Sequence, residues 1–155
     1  MRILINTIIC FCLIGSVDAF ADNENIYKKG IKAKNINHFG DVWLSHVSRA
    51  DKYYNYNIAV AEFAPGARLN WHLHPAGQQL IVVDGVGYYQ ERGKPVQILR
   101  KGDIVKCTPS VEHWHSATPE SEVTYIAITG SEATKWLEPV PEEYYLSIES
   151  NNSKN

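Results

Sequence analysis

The sequence predicts an all-β sandwich or barrel of short strands. Short β-rich runs recur about every ten residues from Val42 to Thr129. Each run is bounded by Gly, Pro or a Lys-Gly pair, and no 12-residue stretch of this region has helical periodicity.

The elements follow from the pattern in order. Val42 to Val47 is the first strand, and Tyr56 to Phe63 is the second, stopped by Pro65-Gly66. Gln79 to Val83 runs into Asp84-Gly85, a hairpin signal, from which Gly87 to Gln90 is expected to return. Val96 to Leu99, Asp103 to Cys107 and Val123 to Thr129 complete the set. Only Ser131 to Leu137 and Glu142 to Ile148 are compatible with a helical turn or two.

Ahead of the strands, Asp22 to Asn37 is polar and holds four Lys, so it reads as a tether or a leading edge strand. The start of the chain is different again. Arg2, the apolar run Ile3 to Ile14 and the small-residue site Ala19-Phe20-Ala21 have the order of a secretory signal cleaved after Ala21. The run falls short of the roughly 20 residues of a membrane span. The expected organisation is a signal at 1–21, a polar segment at 22–40, one domain at 41–148 and a flexible tail at 149–155. The protein is accordingly expected to be exported, periplasmic or secreted, with no membrane partner after cleavage.

A length of 155 residues suits one domain, and 45% apolar with 21% charged residues suits an ordinary globular one. A net charge of −2 gives no electrostatic footprint for nucleic acid. Of the three Cys, Cys10 and Cys12 leave with the signal. Cys107 then has no partner for a disulfide, and among Ile104, Val105 and Val111 it reads as a small apolar strand residue.

The chemistry lies in the six His, four of which form two His-x-His pairs. On a strand, His72 and His74 point to one face about 7 Å apart. Gln78 has the same parity, and Pro75 with Gly77 permits the bend that brings it to them. His113 and His115 form the second pair, after the turn at Pro109. Three imidazoles and one amide oxygen converging in a barrel make a first-row transition-metal site with open positions. Any one of these His alone would read as structural; two pairs, each after a Gly/Pro turn, read as a site. Trp71 and Trp114 have the opposite parity and read as packing, while Arg68 and His46 read as surface.

The spacing Gly66, His72, His74, Gln78, Gly85, followed by Gly102, Pro109 and His113, resembles the paired motifs of the cupin superfamily. Within it, Trp71 to Gln78 together with His113 to Pro119 is similar to small single-domain bacterial cupins that include manganese-dependent hydroxynitrile lyases, the mandelonitrile lyase-like group. The resemblance implies a double-stranded β-helix, or jelly-roll barrel, with a short C-terminal helical segment. It implies a divalent transition metal held by His72, His74, Gln78 and His113, with His115 lining the pocket as acid or base. Manganese(II) is the expected ion, with iron, nickel, cobalt and zinc as alternatives. A small-molecule substrate is implied, and a homodimer or homotetramer. This chain departs from the pattern at several positions. Ser110 stands where Gly is usual, Gln78 where Glu is commonest, Tyr125 where the group carries a further pocket His, and Thr129 where a Gln is common.

The amide at Gln78 has a physical consequence. Four neutral ligands leave a divalent ion's charge uncompensated, which favours an anionic oxygen and redox-neutral chemistry. The expected function is a metal-dependent lyase on a small hydroxy or carbonyl compound, with His115 moving a proton and Tyr125 offering a phenolic hydrogen bond. His115 hydrogen-bonded behind the site, and Tyr125 as a barrel-filling aromatic, stand beside these roles. A cupin dioxygenase and a non-enzymatic ligand- or metal-binding cupin are the other functional classes.

Overall fold

The computed structural model describes residues 29–152, so the expected signal segment with Cys10 and Cys12 lies outside the described residues. In chain order the strands are β1 (Ile31–Lys32), β2 (His38–Phe39), β3 (Val42–Ser48), β4 (Tyr56–Phe63), β5 (Arg68–Leu69) and β6 (His72–Leu73). There follow β7 (Gln78–Glu91), β8 (Gln97–Arg100), β9 (Ile104–Cys107), β10 (His113–Ala117), β11 (Val123–Gly130) and β12 (Lys135–Trp136). One helix, α1 (Glu142–Asn152), comes last. All pairings are antiparallel, and the sheet curls in the order β1-β3-β4-β11-β7-β10-β5-β2. The all-β expectation holds.

Two expectations need correcting. The Asp84-Gly85 hairpin does not form, because β7 continues through it as one 14-residue strand. Its first half pairs with β11 and β9, and its second half with β10 and β8, so each half already has two partners. Gly85, at φ 76, supplies a bend between them instead of a reversal. The Ser131–Leu137 helix is also absent. Lys135 and Trp136 pair with Leu73 and His72, and this ladder outweighs the weak local helical preference. The second helical candidate does form, and it runs on to Asn152. Glu142 and Glu143 in its first turn suit the positive end of the helix dipole.

The polar leading segment contributes an edge strand. Ile31 and Lys32 pair with Leu44 and Trp43, and His38 and Phe39 pair with Leu69 and Arg68. The packed sheet therefore begins ahead of residue 41.

Strand alternation separates two cores. Inside the barrel, Val42, Phe63, Leu80, Val82, Tyr89 and Tyr125 are among one buried cluster. Outside it, α1 lays Tyr145 and Ile148 over Trp71, Tyr88 and Trp114. This explains why every residue of β10 is buried: its His face the interior and Trp114 is roofed by the helix. Trp114 also donates from Nε1 to Gln90 Oε1 at 2.9 Å. Both Trp are packing residues, as their parity predicts.

Tyr125 spans the interior and donates to the Ser116 carbonyl at 2.8 Å. That path crosses Gly87, where a Cβ would lie 1.9 Å from the Tyr125 hydroxyl and 2.4 Å from the Ser116 carbonyl oxygen. Gly87→Ala must therefore displace a buried ring and a ladder carbonyl together. It is expected to destabilise by at least about 2 kcal/mol, read as a lower urea midpoint at unchanged slope.

Candidate metal centre

His72 and His113 are register partners across β6 and β10, which sets their rings side by side, tilted by 58° with 4.2 Å between centroids. His74 follows two residues on, at the turn into β7. One ring nitrogen from each of His72, His74 and His113 lies within 4.8 Å of the others, and all three residues are buried. Gln78 opens β7 and brings Oε1 to 3.0 Å from His113 Nε2.

The outward nitrogens show which atoms remain for a ligand. His72 Nδ1 donates to the Asn70 carbonyl at 2.9 Å, and His113 Nδ1 donates to the Val111 carbonyl at 3.0 Å. His74 Nδ1 sits 3.2 Å from Thr134 Oγ1. The carbonyls fix the Nδ1 protons of His72 and His113 from behind and leave their Nε2 lone pairs facing the centre, while the Thr134 hydroxyl holds the His74 ring from its Nδ1 side. Two details then fit a cation. His74 Nε2 is buried with no partner. His113 Nε2 and Gln78 Oε1, both acceptors in this tautomer, face each other at hydrogen-bond distance.

The electrostatics agree. Burial, and next the neighbouring His113 and His115, hold the His72 ring well below the ordinary imidazole range. Burial and then His113 pull His74 down to about 4. Burial lowers His113 too, against the Val111 carbonyl and Glu91. Neutral imidazoles are the form a metal needs. The residues present fit a divalent transition ion.

A pH dependence follows for the metal-free protein. His74 falls from 6.5 to about 4 on folding, so the unfolded chain binds the proton first. The neutral ring's contribution is complete above the unfolded value and is lost as pH falls toward the folded one. The expected loss is on the order of 3 kcal/mol across that window. Urea unfolding of chelator-treated protein at neutral pH and near pH 4 measures it.

His115 lies beside this cluster, fully buried, and neither ring nitrogen has a partner. Its ring is 5.6 Å from that of His72 and 5.2 Å from that of Tyr125. The hydrogen-bonded structural role for His115 is therefore not what the geometry shows. Burial, then His113 and His74, depress its pKa well below the usual range.

A cavity of about 380 Å³ opens over the cluster and is lined by His72, His74, Gln78 and His115. Small residues create the space: Ala59 and Ala61 alternate on β4, and Ala127 pairs with Ala59 from β11. Its walls carry no carboxylate among the described residues, and Lys34 is the cation on its lining. His46, exposed as expected, lies on the same lining, as does Thr129 opposite Gln78. A second cavity of similar volume lies against Gln78 and Thr129 on the side of Cys107 and Pro109.

Two expectations change here. Tyr125 does not line the cavity, since its hydroxyl is committed to Ser116; the barrel-filling reading is the one observed. Arg68 is buried rather than on the surface, because Phe39 and Tyr145 cover its guanidinium. Cys107 is a buried strand residue as expected, but its sulfur is 3.1 Å from His113 Nδ1, and burial raises its pKa. Sequence reasoning also missed three contributors. Thr134 steadies His74, the Trp136 ring packs at a tilt 4.9 Å from that of His72, and His38 lines the cavity with Nε2 buried and unpartnered. The first two were hidden in the supposed helix. His38 sat in a segment too polar to read as part of a barrel.

The profile of the Cupin domain family matches residues 59–129. An (R)-mandelonitrile lyase from Granulicella tundricola is 42% identical over 90 residues, which span 56% of this chain and 69% of that protein. The chain belongs to the cupin family. A cupin-like protein of Thermotoga maritima superposes with a TM-score of 0.76 at 41% identity, over 81% of this chain and 97% of that one. A DMSP lyase from Ruegeria pomeroyi shares the fold, with a TM-score of 0.56 at 16% identity over 65% of this chain and 54% of its own.

The cupin motif also explains Ser110. It holds φ at 61, the left-handed region that favours glycine, while its amide donates to the His74 carbonyl at 2.9 Å. This is the position where the second motif usually has Gly.

Proposed function

We propose that this cupin is a metal-dependent lyase acting on a small neutral hydroxy or carbonyl compound of the cyanohydrin type. The observation that carries the reading is the pairing of an inward Nε2 and Oε1 cluster with a second, unpartnered imidazole in an apolar cavity that holds no carboxylate. The relative that is a lyase of mandelonitrile, itself a cyanohydrin, supports it.

His72, His74, Gln78 and His113 would hold the ion, for which manganese(II) is our assignment. When bound, it supplies Lewis acidity toward the substrate oxygen. The chain's own groups do the rest. His115, neutral and free at both nitrogens, accepts the hydroxyl proton of the substrate. The carbon–carbon bond to cyanide then breaks, and its electron pair leaves with cyanide. His115 returns the proton to that leaving group, and an aldehyde or ketone remains. Burial keeps the imidazolium short-lived and its proton easily given up. The Ala59, Ala61 and Ala127 wall receives the substituent and excludes water.

Metal analysis of the purified protein, followed by a cyanohydrin screen under air and under argon, tests the reading. Stoichiometric divalent metal and oxygen-independent release of cyanide are expected. Turnover that requires oxygen would overturn it in favour of a dioxygenase. We further propose export, supported by the order of residues 1–21, and N-terminal sequencing of the exported protein should begin at Asp22.

A further inference from the structure

Arg68 is 6% exposed, yet none of the ion pairs among the described residues involves it. Its Nε donates to the Val140 carbonyl at 3.3 Å, and its guanidinium carbon lies 4.2 Å from the Phe39 ring centroid and 5.0 Å from that of Tyr145. These contacts fix the plane of the fork and use one of its five N–H groups. The terminal nitrogens have no described protein acceptor.

Arg68 lines a cavity of about 230 Å³, separate from the one over the His cluster. Besides Arg68, it is lined by Asn70 and His38, with apolar walls from Ile36, Pro139 and Val140. No carboxylate lines it. A buried cation in an apolar surround requires a counter-charge, and a planar fork whose end-on pair of terminal nitrogens is unused matches a carboxylate. His38 Nε2, buried and unpartnered, adds a second polar atom at the wall that the two cavities share.

We propose that this cavity is a binding site for a small monocarboxylate, anchored by Arg68 and flanked by Asn70 and His38. The assignment does not rest on the metal-centred reading. The two sites are nevertheless linked, because the carbonyl of Asn70 accepts the Nδ1 proton of His72. An anion on one side of that residue bears on the strap that orients a His of the cluster on the other.

The test is a titration of the zinc-loaded full-length protein with sodium acetate, followed by ¹H–¹⁵N correlation spectra. Saturable shifts at the amides of Ile36, Phe39, Asn70 and Val140 are expected. In Arg68→Gln the midpoint should rise at least about tenfold. Arg68→Lys, which keeps the charge and loses the fork, should fall between the two. Shifts confined to His72, His74 and Gln78 would place the anion in the metal cavity and overturn the proposal. An unchanged midpoint in a folded Arg68→Gln protein would do the same. If that variant fails to fold, Asn70→Ala leaves the cation in place and should still weaken binding several-fold; an unaltered isotherm there also overturns it. So would a wild-type protein that shows no saturable response, as when a second copy's carboxylate already fills the cavity.

Discussion

Replacing His72 and His74 together by Ala is expected to abolish stoichiometric metal binding and, with it, cyanohydrin cleavage. Loss of an outer hydrogen-bond partner alone typically costs about 10–100-fold in metal affinity, and this change removes two of the three imidazoles. The affinity should therefore fall by well over about 100-fold. The barrel itself should survive. Both side chains are buried, but their Nε2 atoms face a cavity, and the hydrophobic cluster inside the barrel includes neither residue. The deletion also removes desolvated rings that oppose folding at low pH, so the acid sensitivity described for the metal-free protein should lessen. Elemental analysis after gel filtration, alongside a thermal melt, separates the two effects. A double variant that keeps one equivalent of metal would show that His72, His74, Gln78 and His113 are not the ligand set. A variant that loses metal and keeps full cleavage would preserve the site and remove the lyase reading.

How far the site was legible in the sequence follows from what each residue depends on. The parity of His72, His74, His113 and His115 is a backbone property, so two His-x-His pairs announced one face before any packing was known. The strand at Tyr56–Phe63 was visible for the same reason, and the structure has it at those bounds. Asp84-Gly85 misled because the local turn signal says nothing of the strands waiting on either side. β11 and β10 flank β7 on both sides of Gly85, and a reversal there would forfeit both ladders. Trp136 misled in the opposite sense. Its two-residue strand exists only because β6 offers an edge. Arg68 and Tyr125 were misplaced by their partners, not their own chemistry. A helix some seventy residues away buries the first, and the second is claimed by a carbonyl of β10. Tertiary neighbours of this kind leave no periodic trace in the chain.

His115→Ala is expected to lower turnover by about 10²–10⁴-fold while leaving metal content unchanged. The reasoning starts from isolation. Neither nitrogen of His115 has a protein partner, so its removal breaks no hydrogen bond and unmakes no ligand's support. What disappears is an imidazole on the cavity wall, 5.6 Å from His72, that has no protein partner at either nitrogen. Three readouts separate a proton-transfer role from mere packing against Phe63 and Tyr125. First, kcat should fall far more than KM rises. Second, burial places the His115 pKa well below the ordinary 6.5, so the wild-type rate should hold through neutral pH and decline only on an acid limb below it. That limb arises because a base works only when deprotonated, and it should be missing from the variant at pH values where metal is still bound. Third, added imidazole can enter the space vacated by the ring and restore part of the rate, which a lost packing contact would not permit. Metal-replete His115→Ala protein with undiminished turnover would take the acid–base role from His115. It would also turn attention to His38, whose Nε2 is buried and unpartnered on the same cavity lining.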